Sequence, residues 1–311
     1  MYTSFYGLRD LPFELTLDPR FRCFTESQQE AFATLEYGLS TAKAMTVLTG
    51  ESGTGKTTLL HAALDSARCR HVRGVSLCNP TLTAADFLEL ITRHLELALG
   101  AETPKTRFLE ALDAKLRQRR DRGETVALIV DEAQGLSLEV LEEIRLIANI
   151  ETATDKLLPV VLAGHPEFGD RLNESALRQL KQRVTLRCWT ERLTLAETAA
   201  YIASRIRAAG GDPARLFTRE AVTLIYEYSM GVPRTVNVIC DNALLNGFAL
   251  VRQPVDHQIV LEVCRDLDLE PPQPQALPTR HSATAGDGAL GTSMVGVGYV
   301  RAGRKFMLFG R

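Results

Sequence analysis

The chain has 311 residues, which exceeds the usual size of one domain and predicts a main domain, a smaller companion and a tail. Hydrophobic residues make up 45% and charged residues 24%, the balance of a soluble globular protein, which excludes a disordered chain and a membrane bundle. The formal charge is -2, and five basic residues against one acid after Pro271 leave residues 1–270 more acidic still, so no bulk electrostatic attraction to nucleic acid is visible.

Cysteines at 23, 69, 78, 188, 240 and 264 form no CxxC pair, which argues against a disulfide framework or a thiolate metal site and fits a reducing cytoplasm. The N-terminus lacks the basic start and apolar run of a signal peptide, and the longest apolar stretches are strand-sized, so no membrane span is expected.

Taken in chain order, short β-rich runs fall at Ala44–Thr49, Val72–Cys78, Thr125–Val130, Leu158–Ala163 and Val184–Cys188. Amphipathic stretches lie between them, including Ala84–Leu99, Lys105–Arg120 and Leu138–Ile150, each long enough to cross back over a sheet. This alternation predicts an α/β fold: a five-stranded parallel sheet flanked by helices, over residues 1–190. Beyond residue 190 the β signals stop. Leu193–Ala209, Thr218–Ser229, Pro233–Val251 and Val255–Leu267 read as four helices of a small all-α domain spanning 191–270, punctuated by GGDP and GVP. Residues 271–311 are Pro-rich, then Gly-rich, a composition that need not pack and is expected to be disordered.

The segment Gly50, Glu51, Ser52, Gly53, Thr54, Gly55, Lys56, Thr57, followed by Thr58, stands between the first strand and a helical run. That context makes it a P-loop: the glycines let backbone N–H groups turn inward, and the helix N-terminus adds positive potential, so phosphate oxygens are the natural ligand. Lys56 is expected to reach the β and γ phosphates of ATP, and the Thr57 hydroxyl to coordinate Mg2+. In TVALIVDEAQ, Asp131 and Glu132 fall at the C-terminal edge of a buried strand, where open α/β sheets bind ligands. Asp131 is expected to hold the Mg2+ shell and Glu132 to orient and polarise the attacking water; the plainer alternative makes both acids caps for the next helix.

His165 follows another strand at that edge and is a candidate contact for the γ phosphate or the water, against the reading of a satisfied loop histidine. ALRQLKQRV supplies Arg178, Lys181 and Arg183, of which Arg183 is the better candidate for an arginine finger acting on a neighbouring subunit's nucleotide. In GVPR, Pro233 starts a helix and leaves Arg234 in its first turn, placed to fold onto the γ phosphate. The basic run Lys115–Gly123 has no interleaved aromatics and reads as a solvated helix face rather than a nucleic-acid contact.

GESGTGKT, VDEAQ, an arginine before the fifth strand and GVPR occur in the order typical of AAA+ ATPases. SFYGLRDLPFELTLDPRF, NPTLTAADFLELI, EIRLIANIET, LLPVVLAGHPEF and LRQLKQRV narrow this, because over residues 1–269 the chain resembles the general secretion pathway protein A family of ATPases associated with type II secretion. The resemblance implies ATP hydrolysis in an oligomer, coupled to assembly or energising of an envelope secretion machine with a membrane-anchored partner. It also implies Walker A roles for Lys56 and Thr57, Walker B roles for Asp131 and Glu132, a finger at Arg183 and a second sensor at Arg234. His165 stands where the family carries a glutamine. Many members continue into a membrane helix and a peptidoglycan-binding region. Ala289–Val300 is too short and glycine-interrupted to span a bilayer, so the expectation is a cytoplasmic protein that reaches the envelope through a partner. A contrasting reading is an ATP-dependent DNA-binding regulator like the transposition ATP-binding proteins, with Lys115–Arg122 as its DNA contact.

Overall fold

The computed structural model describes residues 2–77, 82–100 and 103–270. Cys78 and the Pro/Gly-rich tail from 271 lie outside the described residues.

Five strands, β1 (Met45–Thr49), β2 (Val72–Leu77), β3 (Thr125–Val130), β4 (Val160–Gly164) and β5 (Leu186–Trp189), form one sheet in the order β2-β3-β4-β1-β5. Every pairing is parallel. The side-chain period of two divides the central strands between two cores. Val126, Leu128 and Val130 of β3 face one cluster with Phe87, Leu112 and Ile144, on α4 (Ala84–His94), α5 (Lys105–Asp121) and α6 (Leu138–Ile147). Ala127 and Ile129 face the other, with Leu35 and Leu39 of α2 (Glu26–Ser40) and Leu59 and Leu60 of α3 (Lys56–Leu64). The expected parallel sheet flanked by helices is therefore present.

Several boundaries differ from the sequence reading, each for a local reason. β4 starts at Val160 rather than Leu158, after Pro159, which has no N–H to give a ladder. β5 starts two residues late because the Val184 N–H closes the last turn of α8 (Arg178–Lys181) on Lys181 O. α4 stops at His94, with Glu96 left-handed at φ 52°, and α6 stops at Ile147, after which Leu157 N–H returns to Ile150 O.

After α7 (Pro166–Arg171) and β5, the chain becomes helical: α9 (Leu195–Ala208), α10 (Pro213–Leu216), α11 (Arg219–Ser229), α12 (Pro233–Ala249) and α13 (His257–Asp266). Thr194 and Glu197 form a capping box on α9, and Pro233 at the first turn of α12 costs no hydrogen bond. The short α10 was not expected. Nor was the destination of the N-terminus: α1 (Tyr2–Tyr6), Leu8, Phe13 and Phe21 join the helical core with Ile202, Ile239 and Leu244, so the start of the chain packs with the helical segment that follows β5.

Candidate active site

The C-terminal ends of β1, β3 and β4 converge on one edge of the sheet. Gly50 N–H donates to Gly164 O at 3.1 Å, and Asp131 N–H to Leu77 O at 3.1 Å, which levels the loops that follow. Gly53 and Gly55 have φ of 78° and 98°, the left-handed region a P-loop turn needs. A Cβ on Gly50 would sit 1.9 Å from Thr190 Oγ1, so the loop also needs glycine for close approach to the segment after β5.

Lys56 is buried, and its Nζ donates to Gly50 O at 2.8 Å and Glu51 O at 3.0 Å. Burial pulls its ammonium below the ordinary lysine value, opposed by the facing carboxylates of Glu132 and Asp131. The Thr57 hydroxyl donates to Asp131 Oδ2 at 2.7 Å, so the two residues expected to share a cation already meet. Their hard oxygens suit Mg2+.

Asp131 Oδ1 accepts Glu132 N–H at 2.9 Å, and Glu132 is left-handed at φ 56°, a strained choice for a residue with a Cβ. Its carboxylate receives Gln134 Nε2 at 2.5 Å and lies 3.4 Å from His165 Nε2. His165 occupies the position before α7, whose first residue is Pro166, and its ring faces Glu132 instead of capping that helix. Arg234 is the second residue of α12, with its N–H on Gly53 O at 3.2 Å, so the helical layer touches the phosphate loop directly. Arg183 lies apart. It sits below β5, where Thr185 N–H meets Met45 O at the start of β1, a strand length of roughly 16 Å from the loop edge.

A cleft of about 330 Å3 joins these parts, lined by Ser52–Leu59, Glu132, Arg234 and Asn237 and by the N-terminal strap Glu14–Asp18 and Phe21–Phe24. Several of its supports escaped the sequence reading. Arg205, 6% exposed, donates to Pro12 O at 2.5 Å, Glu14 O at 2.9 Å and the Tyr201 hydroxyl at 2.9 Å, and lies over the Phe21 and Tyr201 rings. Gln28 Nε2 donates to Thr54 O at 3.2 Å, Thr54 bonds Thr190, and Arg192 pairs with Glu51. A buried arginine inside an amphipathic helix was the one available signal, because its partners are strap carbonyls that carry no sequence mark. In the basic run, Arg117 pairs with Asp113, Arg119 with Glu124 and Arg120 with Asp155.

A P-loop at the edge of a parallel sheet in this strand order, with paired acids on β3 and a helical layer folded onto the loop, is the P-loop NTPase fold of the AAA+ kind. Residues 40–172 match the AAA domain family. Within that class the chain is similar to general secretion pathway protein A of Aeromonas hydrophila, at 36% identity over 257 residues, 83% of this chain and 47% of that protein. It is 27% identical to a nucleotide-binding protein of Sorangium cellulosum over 202 residues, 65% of this chain and 54% of that one. The chain thus spans about half the length of the curated relatives it matches. Among solved structures, Cdc6p of Pyrobaculum aerophilum superposes with a TM-score of 0.62 at 16% identity, covering 82% of this chain and 70% of that one, a likeness of fold. No helix of the described residues is long and apolar enough to cross a membrane.

Proposed function

We propose that the chain binds Mg-ATP in the cleft and hydrolyses it, with Glu132 as the group that orients and polarises the attacking water. The contact between Thr57 and Asp131 beside buried Lys56 carries this reading, because it assembles the two halves of a nucleotide site from elements seventy residues apart. The loop from Gly50 to Thr58 cradles the phosphates, and Lys56 exchanges its loop carbonyls for phosphate oxygens. Thr57 and Asp131 would hold Mg2+, which would supply positive charge against the β and γ phosphates. Arg234 reads the γ phosphate from the helical domain, residues 191–270 with the N-terminal segment packed on them, against the nucleotide-binding domain that makes up the rest of residues 1–190. His165 orients Glu132 or the water. Arg183, too far from its own loop, acts on a neighbour's nucleotide in an oligomer.

Similarity to general secretion pathway protein A supports coupling of this cycle to assembly or energising of an envelope secretion apparatus, from the cytoplasmic side and through a membrane-anchored partner. A DNA-binding regulator is less well supported, since Arg117, Arg119 and Arg120 of the basic run are paired with acids of their own surface.

The test is ATP turnover of the wild type and Glu132→Gln, with and without duplex DNA over a salt series. Glu132→Gln is expected to bind ATP and lose turnover, and unchanged hydrolysis would remove Glu132 from the chemistry. Strong, salt-sensitive stimulation by DNA would favour the regulator instead. Proteins co-purifying with Glu132→Gln under ATP identify the partner.

A further inference from the structure

Glu132 is held by a side chain to which the phosphate-site motif gives no task. Gln134 lies in the turn after β3, on the DEAQ segment, and its amide bridges two strands: Nε2 donates to Glu132 Oε2 at 2.5 Å, and Oε1 accepts His165 N–H at 3.0 Å. The amide orientation is fixed by chemistry, because a backbone N–H only donates and an ionised carboxylate only accepts.

The bridge is built from three further sides. Arg171 of α7 donates to Gln134 O at 3.0 Å and Leu136 O at 2.8 Å, pinning the turn. Gly164 makes room, since a Cβ there would stand 2.9 Å from Gln134 Oε1. Asp131 Oδ1 holds the Glu132 N–H and the left-handed backbone that turns this carboxylate toward Gln134.

We propose that Gln134 is a positioning residue for hydrolysis, locking the Glu132 carboxylate in the orientation from which it acts on water and tying that orientation to the β4 edge at His165. The inference rests on the assignment of Glu132 made above. A glutamate free to rotate spends most of its time in unproductive rotamers, so the lock acts on turnover and leaves nucleotide binding alone.

Gln134→Met, which removes both the donor to Glu132 and the acceptor for His165 N–H without adding charge, is the primary test of positioning. Gln134→Glu keeps the acceptor for His165 N–H but replaces the donor with a second carboxylate, which repels Glu132 or shares a proton with it. Steady-state ATP turnover, affinity for a fluorescent ATP analogue and thermal melting are measured for both, alone and with Glu132→Gln. The expected result is a kcat lowered about ten- to a hundredfold in both variants, as for a lost hydrogen bond to a charged group, with KM and analogue affinity within about twofold of wild type. Gln134→Met is expected to melt close to wild type and Gln134→Glu lower, because its carboxylate faces that of Glu132, and neither change should lower the residual turnover of Glu132→Gln further, because Gln134 acts through that residue. Wild-type turnover in Gln134→Met, or loss that tracks melting temperature or adds to Glu132→Gln, would overturn the proposal. If Glu132→Gln itself keeps full turnover, the assignment of Glu132 falls and the lock with it; if Glu132→Gln is inactive while both Gln134 variants are active, only the lock falls.

Discussion

Arg205→Met tests whether the N-terminal strap is a working wall of the nucleotide cleft. The wild-type guanidinium, buried in the helical layer, supplies hydrogen bonds to Pro12 O, Glu14 O and the Tyr201 hydroxyl and packs 5.3 Å from the Phe21 ring centre and 5.7 Å from that of Tyr201. Hydrogen bonds from a charged donor contribute about 1.5–3 kcal/mol each, so the three together set an upper bound well above the real cost. Two effects reduce it. Glu14 is exposed and its carbonyl regains water, and methionine removes the desolvation cost of the buried charge while filling most of its volume. The net loss expected in equilibrium urea denaturation is about 2–4 kcal/mol. Because residues 14–18 and 21–24 line the cleft, ATP affinity should also weaken, by about tenfold as order within the strap is lost. Arg205→Lys keeps a charge but reaches one carbonyl at a time and should fall between the two. A loss below about 1 kcal/mol with unchanged ATP affinity would refute the reasoning, since it would mean the strap is held by Phe13 and Phe21 alone.

Two further outcomes follow from the same geometry. Gly50→Ala places a methyl 1.9 Å from Thr190 Oγ1, and the forced shift should cost about 1–3 kcal/mol in denaturant and abolish detectable ATP binding by titration. Arg183→Ala should bind ATP as wild type does and lose turnover only at concentrations where subunits associate; equal loss in dilute monomer would rule out a role across an interface.

The phosphate loop, the paired acids of β3 and the parallel sheet were legible in the sequence, because each depends on short-range pattern: glycine spacing that permits a left-handed turn, an apolar run ending in carboxylates, and helices of crossover length. Strand edges were less legible where a single backbone group decided them, as Pro159 did for β4 and the Val184 N–H did for β5. The supports of the site lay beyond that reach. Gln134 was visible as a letter in DEAQ, yet its work depends on His165 N–H arriving from another strand. Arg205 meets carbonyls from the far end of the chain, nearly two hundred residues away. Arg183 could be named from its place before β5, but its distance from its own loop is a property of the folded sheet. Local sequence determined which chemistry this protein can carry, since side-chain type and backbone freedom act within a few residues. Only the tertiary structure decided which backbone groups close the site around that chemistry, since a carbonyl or an N–H is the same in every residue that has one and gains its role from position alone.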